Sequence, residues 1–101
     1  MSYFAGQTTP IYFTFSGFDP SSADDFIITF SYAGNPILEF DKTDAVYTSS
    51  TVMIELTQTQ SLSLPIGPVK VQFNFLKNGV RIPTEIVTLN IDKNLHMSVI
   101  S

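Results

Sequence analysis

Apolar and polar residues alternate along most of this chain, and the alternation has the period of a β-strand rather than a helix. Ile11, Phe13 and Phe15 fall on one face of a segment from Thr8 to Phe15, with Tyr12 and Thr14 on the other. Phe26, Ile28, Phe30 and Tyr32 share a face of a second segment, Phe26 to Tyr32. Ala33-Gly34-Asn35 then turns the chain into a third, Pro36 to Phe40, because Gly-Asn suits the positive φ of tight hairpins. Ala45 to Tyr47 is expected as a short strand. Thr51 to Leu56 follows, with Val52, Ile54 and Leu56 inward. The cleanest alternation runs from Val69 to Leu76: Val69, Val71, Phe73 and Phe75 inward, Lys70, Gln72 and Asn74 outward. Asn78-Gly79 closes it into a hairpin with a return strand, Val80 to Asp92, which Pro83 interrupts.

Between these strands the chemistry is that of turns. Ser16 to Asp25 contains Gly17, Asp19-Pro20 and Ser21-Ser22, so a loop is expected, with one helical turn after Pro20 under a Ser cap. Asp41 to Asp44 is a polar link. Thr57 to Leu64 reads as a polar segment crossing from one sheet to another, with Leu62 and Leu64 facing the core. Pro65 to Pro68 makes the corner. No stretch holds a helical period for more than two turns. Short strands between Gly and Pro turns, about seven of them, predict an all-β, immunoglobulin-like antiparallel β-sandwich in a single domain over residues 1–101.

Composition narrows the function classes. The chain has 101 residues, 44% of them apolar, with nine Phe but only 14% charged. So apolar a chain with so few charges is expected to pack well or to be partly covered by a partner. Its net charge is −4, and Lys42, Lys70, Lys77, Arg81 and Lys93 are scattered, which predicts neither a nucleic-acid nor a membrane partner. There is no cysteine, in keeping with synthesis in a reducing cytoplasm. The first residues, MSYFAGQTTP, lack the pattern of a signal peptide, and no run is long enough for a membrane helix.

No catalytic, metal or cofactor site is expected. His96 stands alone, without a triad partner or fellow ligands, and is read as solvated. Asp19, Asp24 and Asp25 lack the spacing of a calcium loop and are read as turn and cap residues. Glu39, Glu55 and Glu85 occupy ordinary outward strand positions. The aromatic residues are less ordinary, because Tyr12 is out of phase with its core-facing neighbours. Tyr3, Phe4, Tyr12, Tyr32 and Tyr47 are candidate contact residues, suited to a protein interface or to stacking on sugar rings. Leu95, Met97 and Ile100 join them from an apolar tail, Leu95 to Ser101. This tail and the lead-in, Met1 to Gln7, are expected to be ordered on a neighbour.

Leu56-Thr57-Gln58, Ser61-Leu62-Ser63-Leu64, Gly67, Val69-Lys70-Val71-Gln72 and Asn78-Gly79 together resemble a family of small phage proteins. The likeness is to the N-terminal domain of the upper baseplate protein of siphophages of Gram-positive hosts and its stand-alone relatives. Gly6-Gln7-Thr8 resembles the start of that domain, and Ile86 to Ile91 its last strand. The resemblance is dense from Leu56 to Asp92. It implies an immunoglobulin-like sandwich without enzymatic activity, present in several copies and bound to other virion proteins. It places the protein in the virion after synthesis in the host cytoplasm. The family's polar lead is aromatic here, and its large C-terminal part has no counterpart in these residues. A place on the capsid, neck or tail is therefore as open as the baseplate. The alternative is a carbohydrate-binding or adhesive sandwich that recognises host glycans through Tyr12, Tyr32 or Tyr47.

Overall fold

A computed structural model describes residues 2–100. Among these residues nine strands form two sheets, so the all-β expectation holds. In chain order they are β1 (Ser2–Phe4), β2 (Ile11–Thr14), β3 (Asp25–Tyr32), β4 (Asn35–Asp41), β5 (Val46–Tyr47), β6 (Thr51–Ile54), β7 (Gly67–Lys77), β8 (Val80–Pro83) and β9 (Val87–Asp92). One sheet has the order β1-β9-β7-β3-β4, with β8 also paired to β7. The other is β2-β6-β5. All neighbours are antiparallel except β1 and β9, which run parallel with Tyr3 opposite Ile91.

The sheets pack on the alternating faces that the sequence pattern marks. Phe26, Ile28 and Phe30 of β3, Val69, Val71, Phe73 and Phe75 of β7, and Leu89 and Ile91 of β9 are buried against Ile11, Phe13, Val52 and Ile54 of the smaller sheet. Aromatic rings make the contact directional. Phe13 meets Phe73 edge-on with centroids 5.0 Å apart, and Tyr47 meets Phe26 the same way at 5.9 Å. Each fully buried Phe contributes roughly 1.5–3 kcal/mol by area. That is the main force holding a cysteine-free domain of this size together.

Three local results depart from the sequence reading. The lead-in is a strand, because β9 offers a free edge to Ser2–Phe4. The segment after β6 is a short helix, α1 (Gln58–Leu62), not a plain crossing. Thr57 Oγ1 accepts the Gln60 N–H at 3.1 Å and Gln60 Oε1 accepts the Thr57 N–H at 3.0 Å, a reciprocal cap. The return strand is two strands, β8 and β9, on one edge of β7. Thr84 bridges the break: its Oγ1 accepts the Phe73 N–H at 3.1 Å and its own N–H donates to the Phe73 carbonyl at 2.9 Å. Gln72 Nε2 donates to the Thr84 carbonyl at 2.9 Å.

The two hairpin turns are alike. Ala33-Gly34 and Asn78-Gly79 have φ of 51° and 82°, and 51° and 77°. These are the left-handed values that match the twist of the flanking strands. The expected turn after Pro20 forms as a 3-10 turn over Pro20–Ser22, but Asp19 rather than a Ser is its cap.

Candidate assembly surface

The segment after β9 bends at Leu95 and Ser98 and is fastened at two points. Asn94 Nδ2 donates to the Ala5 carbonyl at 3.0 Å, and Asn94 Oδ1 accepts the His96 N–H at 3.1 Å. Farther on, the Gln58 amide on α1 grips the backbone of Ile100 from both sides. Its Oε1 accepts the Ile100 N–H at 2.8 Å and its Nε2 donates to the Ile100 carbonyl at 2.9 Å. Asn94, His96, Ser98 and Ile100 border a small depression of about 100 Å³ with Gly6, Gln58 and Leu62. The alternate side chains point away: Leu95 is 99% exposed, Met97 45% and Val99 53%. A strand on a protein surface normally turns its apolar face inward. Here the apolar side chains of the segment, Ile100 at 70% included, are exposed to solvent.

Phe4 extends this apolar surface. It lies on the outward side of β1, half exposed, and shares a shallow depression of about 550 Å³ with Lys93 and Leu95. The structure therefore brings Phe4 and Leu95 together from distant parts of the chain, while Met97 and Ile100 lie exposed farther along the segment. Tyr3 is a correction. Strand period two sends it inward where Phe4 points out, and it is 4% exposed within the core. Its phenol donates to the Thr9 carbonyl at 2.8 Å, and burial pushes its pKa up to about 12. Tyr3 is not offered to a partner.

The other tyrosines are spread over separate elements. Tyr12 is exposed on β2, in a cross-strand row with Met53 of β6 and Val46 of β5. Tyr32 lies at the end of β3 over Gly67, its ring 3.6 Å from where a Cβ would stand, and is only partly exposed. Tyr47 belongs to the rim of the core, packed on Phe26, with Lys42 Nζ 4.9 Å from its ring centroid.

No protein-family model matches the chain, and no curated protein matches it.

A second apolar feature was not marked by the sequence. A cleft of about 600 Å³ opens between β2 and the break between β8 and β9, lined by Phe15, Phe18, Phe73, Phe75, Ile82 and Glu85 among others. The signal available for it was Phe15 and Phe18 flanking a Gly in a polar loop. Among the described residues β2 has a strand on one edge only. Polar groups elsewhere have structural work. Asp19 accepts from the Ser21 N–H at 2.9 Å and hydroxyl at 2.5 Å, and the hydroxyl bond chiefly lowers its pKa. Asp24 accepts the Asn78 N–H at 2.9 Å, and Asp25 the Phe26 N–H at 2.8 Å. Among the described residues no group of three His, Asp or Glu side chains is placed to hold a metal. Among the same residues no helix is long and apolar enough to cross a membrane. The exposed arrangement is suited to burying apolar side chains and pairing backbone groups with another chain.

Proposed function

We propose that this protein is a non-enzymatic structural module of a phage virion, built on an immunoglobulin-like sandwich and held to its neighbours through its chain-end surface. The observation that carries the reading is the solvent-facing apolar segment after β9. Leu95, Met97 and Val99 are held facing solvent by Asn94 and Gln58, next to Phe4. Ordering an apolar strip toward water costs free energy that only a covering partner returns. The immunoglobulin-like assignment is supported by strand order. β2, β6 and β5 correspond to strands B, E and D; β3, β7 and β9 to C, F and G; and β4 to an added strand beside C. The resemblance of the segment from Leu56 to Asp92 supports the virion setting. The partners are other virion proteins and further copies of this chain; its scattered cations give no footing for nucleic acid or membrane. Stacking on glycans has less support, since Tyr12, Tyr32 and Tyr47 do not form one platform.

The test is mass spectrometry of purified particles from an infected host, with a variant lacking residues 95–101 alongside the full chain. The full chain is expected in the particle in many copies, and the truncated one is expected to stay in the host lysate. A full chain found only in the lysate would overturn the reading.

A further inference from the structure

We propose that residues 93–100 of one copy add as a strand to the free edge of β2 in a second copy, with Leu95, Met97 and Val99 entering its apolar cleft. This rests on the assembly reading above and names its partner.

The edge is open. Phe15 donates its N–H to the Ser50 carbonyl at 2.7 Å, continuing the register in which Phe13 faces Val52 and Ile11 faces Ile54. In an antiparallel ladder bonded and non-bonded positions alternate, so the N–H and C=O groups of Tyr12 and Thr14 point away from β6. Those groups are the template for an incoming strand.

The added strand must carry apolar side chains at every second position, spaced about 6.6 Å apart, to fill the space between the sheets. Residues 95, 97 and 99 are Leu, Met and Val, on a segment that Asn94 and Gln58 already fasten, so only its bends at Leu95 and Ser98 must straighten for it to join the edge. Charge agrees with the pairing. Glu85 is the charged residue lining the cleft, while the segment from 93 to 100 contains Lys93 and His96 and no acid. Geometry makes the contact intermolecular. The segment departs from the Asp92 end of β9, whereas the cleft borders Val87, at the strand's other end. A copy cannot fold its own segment back over that distance without leaving both anchors. Tail and cleft are different surfaces, so the contact is head-to-tail and propagates to a ring or a filament.

The cysteine-free chain permits a direct test. Side chains on the outer face of β2 would neighbour the even-numbered residues of the added segment. Protein carrying Thr14→Cys is mixed with protein carrying His96→Cys or Ser98→Cys under mild oxidation. Sedimentation of the unmodified chain is followed over a wide concentration range. The expected result is a mixed disulfide dimer for at least one pairing, and a mass that rises with concentration. A Leu95→Asp, Met97→Asp variant, altered only at exposed positions, is expected to associate at least tenfold more weakly and to lose the cross-link. A chain that stays monomeric and forms no mixed dimer overturns the contact, as does a cross-link only between two copies of His96→Cys. A monomer still found in purified particles overturns this contact alone. Self-association without incorporation overturns the virion reading alone.

Discussion

Replacing Thr84 by Val tests how the broken outer strand is held to β7. The two side chains have nearly the same shape, so packing and strand propensity are kept. What is lost is the hydroxyl that accepts the Phe73 N–H at 3.1 Å and also lies within bonding distance of the Phe73 and Glu85 carbonyls. Phe73 sits where β7 has already passed β9 and not yet met β8: the ladder with β9 ends at Val71 and that with β8 begins at Asn74. No ladder bond replaces the one removed. A buried donor left unpaired costs about 1–3 kcal/mol, and a part-buried one is expected near the middle, about 2 kcal/mol. With a urea m-value of about 1.2 kcal/mol/M for so small a domain, the midpoint should fall by about 1.7 M at constant m. In a thermal scan the same loss lowers Tm by about 8–12 °C. Thr84→Ser keeps the acceptor and should lose under about 1 kcal/mol. The reasoning is refuted if Val matches the parent within about 0.5 kcal/mol, or if Ser is as damaging as Val.

Four further outcomes follow from single contacts. Ala33 holds a left-handed φ of 51° that costs an L-residue about 1–2 kcal/mol, so Ala33→Asn should raise stability by about 0.5–1 kcal/mol in a denaturant titration. Ser61 has a fully buried hydroxyl without a partner, so Ser61→Ala should be neutral or stabilising by up to about 1 kcal/mol, read the same way. Gln58→Ala should leave global stability within about 0.5 kcal/mol, yet speed hydrogen exchange at the Ile100 amide, which loses its acceptor. Tyr3 is raised from 10.0 to about 12, so the unfolded chain loses its phenol proton first. Its contribution is whole below pH 10 and disappears as pH rises through 12. Solvent screening at the part-buried hydroxyl limits the change to about 1 kcal/mol, and Tyr3→Phe should remove that slope from alkaline denaturation curves.

The strands best read from the sequence are those that carry their own evidence. Val69, Val71, Phe73 and Phe75 alternate without exception, and Asn78-Gly79 states its turn type outright. β1 is three residues long and takes its conformation from β9, so nothing local distinguishes it from a loose lead-in. The same shortness hid which of Tyr3 and Phe4 faces inward. α1 left a readable trace, since Thr57-x-x-Gln60 is a capping pair, but Leu62 and Leu64 looked like strand spacing beside it. The break at Thr84 depends on a side chain bonding across to another strand, which periodicity does not register. For the candidate surface, composition marked Leu95, Met97 and Ile100 as apolar. That they face solvent follows from the bonds of Asn94 and Gln58, which link residues distant in sequence.

The parallel pairing of β1 with β9 also has a consequence in time. Ser2, Tyr3 and Phe4 leave the ribosome long before their partners Asn90, Ile91 and Asp92. Meanwhile β3, β4 and β7 can pair as each emerges, but Ser2–Phe4 have nothing to join until β9 is made. Their docking closes the longest loop in the fold and therefore comes late. Until then Tyr3 stays in water, and from the time β9 emerges until β1 docks, the edge of β9 stays bare and open to mispairing.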